Sequence, residues 1–285
     1  MSDCDANRAA NRAAGAPPAG PTPPPAKDSA GEAPAARKRI GSVPYLNSVP
    51  LTYGIEEETE YIVPSALAEK LRAGVLDAAL VSITEALFHE GYEILDTVAV
   101  ASQGPVKSVF LAHRQPLEAI EIIHCDTASL TSVNLLRVLL AERGLRPAFE
   151  PLPNYTQAAA RDNVLLIGNP GIDFLRAPHD HTIWDLGEAW RKLTGLPFVY
   201  AVWALRRGQH DPALREKLRA AKTNGIAHLN ETIAAHPDYD AEFRRAYLGG
   251  HIQYDLGDEE KAGLAKFVEL LKRHNNQPVI DPIFV

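Results

Sequence analysis

The strongest constraint on the fold is a strand–helix alternation that runs once, breaks and restarts. From Arg37 the chain reads "RKRIGSV", a short strand, then "SVPLTYGI", a short helix. "EYIVP" is a strand, and "SALAEKLRAGVL" is an amphipathic helix with Ser65 expected as its N-cap. "DAALVSI" is a buried strand, "TEALFHE" a helix and "YEILDTVAVAS" extended. A strand near Val106–Arg114 follows, and the pattern begins again with "IEIIHCD", "SVNLLRVLLAERGL", "PAFEPL", "YTQAAARD" and "NVLLIG". "GIDFLR" reads as a short helix and "TIWDLGEAWRKLTGLP" as a strand and a helix. A long strand near Phe198–Leu205 closes the second run, and the rest is mostly helical, in the segments "PALREKLRAAKTNGIAHLNETIAAH", "DAEFRRAYLGG" and "GDEEKAGLAKFVELLKRH". Such alternation predicts an α/β fold with parallel sheets. Two runs, one strand between them and one after, predict two lobes joined by two crossings. The expected limits are 37–110 plus 201–285 for lobe 1 and 111–200 for lobe 2. Ligands of such folds lie in the cleft, near the carboxyl ends of strands.

Residues 1–36 are set apart by composition. They are rich in Ala and Pro, with "GAPPAGPTPPPA" at their centre and no large apolar side chain after Met1. A segment that buries so little cannot offset its ordering entropy, so a disordered tail is expected.

Charge and cysteine usage remove several function classes. The formal net charge is -7, and no long Lys/Arg run occurs, which disfavours nucleic acid as a partner. The two cysteines, Cys4 and Cys125, form no CxxC pair, and Cys125 reads as a small core residue. No apolar run is long enough to span a bilayer, and the N-terminus lacks a secretion signal's apolar core, so no membrane insertion and a cytoplasmic location are expected. Neither GxxxxGK[ST] nor a strand-linked GxGxxG is present, nor GxSxG, nor HExxH. His179 and His181 in "PHDHT" could share a strand face, but no third ligand accompanies them, and no metal or other cofactor is expected.

What remains is a set of strand-to-helix corners rich in hydroxyls and amides. "YLNSVP" offers Tyr45, Asn47 and Ser48; "LVSITEA" offers Ser82 and Thr84. "ASQGPVKSV" contributes Ser102, Gly104, Val106 and Ser108, and "DTASLTSVNLL" contributes Thr127, Ser129, Thr131 and Ser132. Helix N-termini carry free N–H groups and a positive dipole end, so converging corners make an anion site without cations. Helix capping accounts for each corner taken singly equally well. Ser108 is the exception: it lies inside a strand among apolar residues, where its hydroxyl either bonds backbone or faces a ligand.

These motifs identify a resemblance. "RIGSVPYLNSVPL", "PSALAEKLRAGVLDAALVS", "SQGPVKSV", "SLTSVNLLRVLL", "LLIGNPGI" and "DLGEAWRKLTGLPFVYAVW" run in the order found in the chorismate dehydratases of menaquinone biosynthesis by the futalosine route. The chain resembles that family from Arg39 to Trp203. The resemblance implies a fold like the type 2 periplasmic binding proteins, two-lobed with a central cleft. It implies a hydro-lyase that converts chorismate to 3-[(1-carboxyvinyl)oxy]benzoate and water. It points to Asn47 and Ser108 as catalytic residues. Substrate contacts are expected from Tyr45, Ser82, Gly104, Val106, Ser129, Thr131, Ser132 and Asn169. The chain departs from the family at Leu130, where Arg is frequent, and at Asn169, where Asp is usual.

Other readings of the same features are a non-catalytic small-anion solute-binding module, the related 1,4-dihydroxy-6-naphthoate synthase and the effector domain of a transcriptional regulator. The fold alone does not separate them. The absence of a secretion signal weighs against transport, the "YLN" and "GPVxS" segments favour the dehydratase over the synthase, and no helix-turn-helix accompanies the acidic chain. Sequence leaves the oligomeric state unknown.

Overall fold

A computed structural model describes residues 39–126, 130–275 and 277–285. The tail expected over 1–36, Cys4, and the hydroxyls of Thr127 and Ser129 lie outside the described residues. The strands are β1 (Ile40–Ser42), β2 (Thr59–Tyr61), β3 (Ala78–Ser82), β4 (Tyr92–Ser102), β5 (Val109–His113), β6 (Ile122–Cys125), β7 (Ala148–Pro151), β8 (Asn163–Ile167), β9 (Thr182–Asp185) and β10 (Phe198–Arg206). The α-helices are α1 (Pro64–Arg72), α2 (Ile83–Phe88), α3 (Leu130–Ala141), α4 (Gly168–Arg176), α5 (Leu186–Thr194), α6 (Pro212–Ala227), α7 (Leu229–Ala235), α8 (Ala241–Ala246) and α9 (Asp258–His274).

The strands form two five-stranded sheets, ordered β2-β1-β3-β10-β4 and β7-β6-β8-β5-β9. The two orders are the same pattern. In each, a first strand lies between a second and a third, all parallel, and an antiparallel strand then joins the third to the edge. That antiparallel strand is always the one adjoining a crossing. β5 enters the second sheet with Val109 opposite Ile167, and β10 returns to the first with Trp203 opposite Leu80. The parallel strands read as apolar runs because helices cover both faces; all of β8 and all but the last residue of β3 are buried.

The two crossings are packed together. The first is the loop from β4 to β5; the second is α5, from β9 to β10. A Cβ on Gly187 of α5 would stand 2.3 Å from the Gly104 carbonyl oxygen, so only glycine fits there. Trp190 on the same helix is fully buried, donates to the Pro197 carbonyl at 2.9 Å and meets Phe198 and Phe267 edge-on. These contacts explain Gly187, Trp190 and Phe198 in "DLGEAWRKLTGLPF".

The outer edge of β4 is not left open. Residues 283–285 pair with it, the Ile94 N–H donating to Ile283 at 2.7 Å and the Val285 N–H to Ile94 at 2.9 Å. Gln253 and Ala101 exchange both backbone bonds further along. Coverage of this kind blocks edge-to-edge association.

Three local expectations change. α1 begins at Pro64 with Val63 as N-cap, so Ser65 lies inside the first turn and caps nothing; proline at the first helical position already supplies the start. The segment 212–236 is two helices, α6 and α7, broken at His228. "YLNSVP" and "YTQAAARD" form 3₁₀ helices, Leu46–Leu51 and Tyr155–Ala160. Among the described residues no helix is long and apolar enough to cross a membrane, and no cluster of three metal-ligating side chains occurs.

Candidate active site

The corner after β1 is built by its own backbone. Tyr45 is the N-cap of the Leu46–Leu51 3₁₀ helix and offers no side-chain bond to it. The buried Ser48 hydroxyl lies 2.7 Å from the carbonyls of both Val43 and Tyr45 and holds the turn from beneath. Neither duty falls to Asn47, whose side chain faces a cleft instead.

That cleft encloses about 630 Å³, its open mouth included. Tyr45, Asn47, Ser82, Val106, Ser108, Ser132, Gly168 and Tyr200 contribute to its walls, with Val43, Leu80, Val100 and Ile167 among the apolar remainder. The contributions come from the carboxyl ends of β1, β3 and β8, the start of β5, and the first turns of α3 and α4. This is where ligands of open α/β sheets bind. Among the described residues lining the cleft, none is Lys, Arg, His, Asp or Glu. The polar groups available are hydroxyls, one amide and backbone N–H groups.

Six of the expected site residues therefore meet: Tyr45, Asn47, Ser82, Val106, Ser108 and Ser132. Three others are described elsewhere. The Gly104 carbonyl accepts the Ser102 hydroxyl at 3.0 Å, in the crossing and away from the cleft wall. Thr131 Oγ1 accepts the Thr84 N–H at 3.0 Å and lies 2.6 Å from the Thr84 hydroxyl, fastening α3 to α2. Asn169 Oδ1 accepts the Leu46 N–H at 3.3 Å, fastening α4 to the corner that carries Asn47.

Tyr45 crosses the cleft wall. Its ring lies over Gly168, with ring atoms 3.5 Å from where a Cβ would stand. Gly168 also has φ +58°, a conformation that favours glycine. Burial, together with the Asp126 carboxylate, pushes the Tyr45 phenol up to about 12. It therefore presents a hydroxyl, not a phenolate, at neutral pH.

Ser108 is fully buried and lies in the cleft wall. Its oxygen accepts the Tyr247 hydroxyl at 2.8 Å, and its backbone carbonyl accepts the Gly168 N–H at 2.8 Å. The segment before it is held by Asp185. That carboxylate accepts the N–H groups of Val106 at 3.1 Å, Lys107 at 2.8 Å and Glu188 at 3.0 Å.

Asp185, Tyr200 and Tyr247 were not anticipated as parts of the site. For Asp185 a signal existed: "DLGE" has the spacing of a capping motif, though not of its second duty on the crossing loop. Tyr200 is buried in β10, its hydroxyl 3.1 Å from that of Ser102, and burial raises its phenol well above the ordinary value.

The profile of the family described as menaquinone biosynthesis matches residues 38–273. The chain belongs to that family. Its curated relatives include a chorismate dehydratase from Thermus thermophilus, 33% identical, with 81% of this chain and 94% of the relative covered. Another, from Campylobacter jejuni, is 27% identical, with 81% of this chain and 92% of the relative covered. Among solved structures, protein AF1704 from Archaeoglobus fulgidus superposes with a TM-score of 0.67 at 17% identity, over 84% of this chain and 98% of its own. An alkanesulfonate-binding protein from Xanthomonas axonopodis pv. citri gives 0.62 at 17% identity, over 85% and 94%. At such identities these two matches show the fold, and this member of the menaquinone-biosynthesis family has the periplasmic-binding-protein architecture.

Proposed function

We propose that the chain is a chorismate dehydratase, a hydro-lyase that forms 3-[(1-carboxyvinyl)oxy]benzoate. The observation that carries this reading is that Asn47 and Ser108 face one uncharged cleft in a chain 33% identical to a curated chorismate dehydratase.

Chorismate is a dianion with a ring hydroxyl and an enolpyruvyl ether. Removal of a ring proton and expulsion of hydroxide leave an aromatic ring, so the reaction is strongly downhill. The chain's task is to orient the substrate and stabilise charge as it develops. The first turns of α3 and α4 offer backbone N–H groups and positive dipole ends to the carboxylates. Hydroxyls of Ser82, Ser108, Ser132, Tyr45 and Tyr200 add donors. Asn47 holds the substrate or its leaving hydroxyl, and Ser108 orients a carboxylate or passes a proton. Among the described cleft residues there is no carboxylate or imidazole, so the substrate's own enolpyruvyl carboxylate serves as the base.

The lobes are proposed as 37–110 plus 201–285 and 111–200. Membership of β1–β4 and β10 in one sheet and β5–β9 in the other supports limits close to these. The product is proposed to feed menaquinone synthesis by the futalosine route, in the cytoplasm; the free buried thiol of Cys125 agrees with a reducing compartment.

Incubation with chorismate followed by mass spectrometry tests the activity. Loss of one water from chorismate is expected. Chorismate bound but unchanged would replace the reading with that of a solute-binding module.

A further inference from the structure

Tyr247 lies outside the segment that carries the motifs, on a π-helical turn, Tyr247–His251, that follows α8. Such widened turns recur at functional sites. The Ile252 N–H closes the turn on the Tyr247 carbonyl at 3.0 Å, and Phe243 stacks on the Tyr247 ring at 5.5 Å. The side chain is 1% exposed and is not part of the cleft wall. A hydroxyl buried this deeply is costly unless its bonds are made. They are made to the two side chains expected to do the chemistry. The phenol donates to Ser108 Oγ at 2.8 Å. It also lies within hydrogen-bond reach of the Asn47 side chain. Burial holds the phenol above its ordinary range, so it keeps its proton at neutral pH.

This arrangement fixes a direction. With its oxygen occupied by the Tyr247 hydrogen, Ser108 must point its own hydrogen elsewhere. Within the protein its hydrogen has one weak backbone acceptor, the Val106 carbonyl, 3.5 Å from Ser108 Oγ and at the limit of a hydrogen bond. The other side of Ser108 lines the cleft, where a ligand oxygen would be a better acceptor than a carbonyl at that limit.

We propose that Tyr247 is a positioning residue: its hydroxyl, donating to Ser108 and held by Asn47, turns the Ser108 hydrogen into the cleft, so that Ser108 meets the ligand as a donor. Tyr247 thereby joins the corner after the first strand of one sheet to the entry strand of the other. For the chemistry, the inference rests on the dehydratase reading. Ser108 then gives its hydrogen bond to a substrate oxygen, and Tyr247 strengthens it from behind through the chain of donors.

The test combines kinetics and neutron diffraction on the full chain. Tyr247→Phe is expected to lower kcat for chorismate by about tenfold or more, with KM within about threefold. In a Ser108→Ala background the same change is expected to cost less than about twofold, because its route to the substrate is gone. A loss below about twofold in the parent, or an equal loss in both backgrounds, overturns the proposal. Neutron diffraction from perdeuterated parent crystals reads the direction without substrate. The Tyr247 deuterium is expected to point at Ser108 Oγ and the Ser108 deuterium into the cleft; Ser108 donating to Tyr247 overturns the proposal. That map alone decides if the Phe variant does not fold. It also decides if the parent leaves chorismate unchanged, a result that would retire the dehydratase reading and not this one.

Discussion

Lys107 and Asp185 stand 78 positions apart in sequence and are joined by a 2.8 Å hydrogen bond from the Lys107 N–H to Asp185 Oδ2. Lys107 has φ +63°, a conformation that costs a non-glycine residue about 1 kcal/mol. The bond offsets that cost and sets the backbone that delivers Ser108 to the cleft. Asp185→Asn keeps the size but places an amide donor opposite an N–H. A loss of about 2 kcal/mol in urea unfolding is expected, with kcat down by roughly tenfold or more as Ser108 shifts. Unfolding and turnover both at parental values would separate Asp185 from the loop.

Asn47→Ala and Ser108→Ala are each expected to reduce chorismate turnover by about a hundredfold, the scale of losing one aimed donor. Ser108→Ala also leaves the buried Tyr247 hydroxyl without its acceptor, which costs about 1–3 kcal/mol of stability. Chromatography of the product and thermal unfolding of the same preparations read both effects. Folded variants with near-parental turnover would remove these residues from the chemistry.

A residue remote from the cleft is expected to matter almost as much. A Cβ at Gly225 of α6 would stand 1.9 Å from the Pro50 carbonyl oxygen. Pro50 belongs to the 3₁₀ helix that carries Asn47, so Gly225→Ala must push that helix away. Destabilisation of about 1–3 kcal/mol is expected, together with reduced turnover. Parental stability and turnover in this variant would show that the corner yields without consequence.

Acid sensitivity is expected from Asp77. Burial raises its carboxyl, but hydrogen bonds from the Arg39 backbone and side chain and from Arg206 outweigh burial and hold it below the ordinary 3.8. The unfolded chain then binds the proton more readily than the folded one. The stabilisation is complete above the unfolded value and is lost as pH falls through the folded value. Asp77→Asn should flatten the stability–pH curve below about pH 4, read by urea midpoints across that range. An unchanged acid limb would assign it to other groups.

The parts legible in the sequence are those whose cause is local. β3 and β8 are apolar runs because both faces are covered, and the restart of the alternation after Arg114 gave away the second sheet. Asn47 stood out because capping had no need of it, and the structure leaves it facing the cleft. Ser65 misled because Pro64, one position earlier, already opens the helix. The break at His228 was hidden because the apolar periodicity runs on through it. Tyr247 was illegible for a different reason: its hydroxyl acquires meaning only from Ser108, 139 positions away. Its own neighbours, "RRAYLGG", read as an ordinary helix end.

The returning strand β10 has a consequence for how the chain is made. β4 meets its own sheet only through β10, whereas β5 to β9 form a continuous stretch of chain. During synthesis the second sheet can therefore be completed as soon as Asp185 has emerged, while the first waits, one strand short, for Arg206. The order of appearance in the sequence is thus reversed in folding: the half begun later closes first. The binding corner at Asn47 gains its packing against α6, at Pro50, later still.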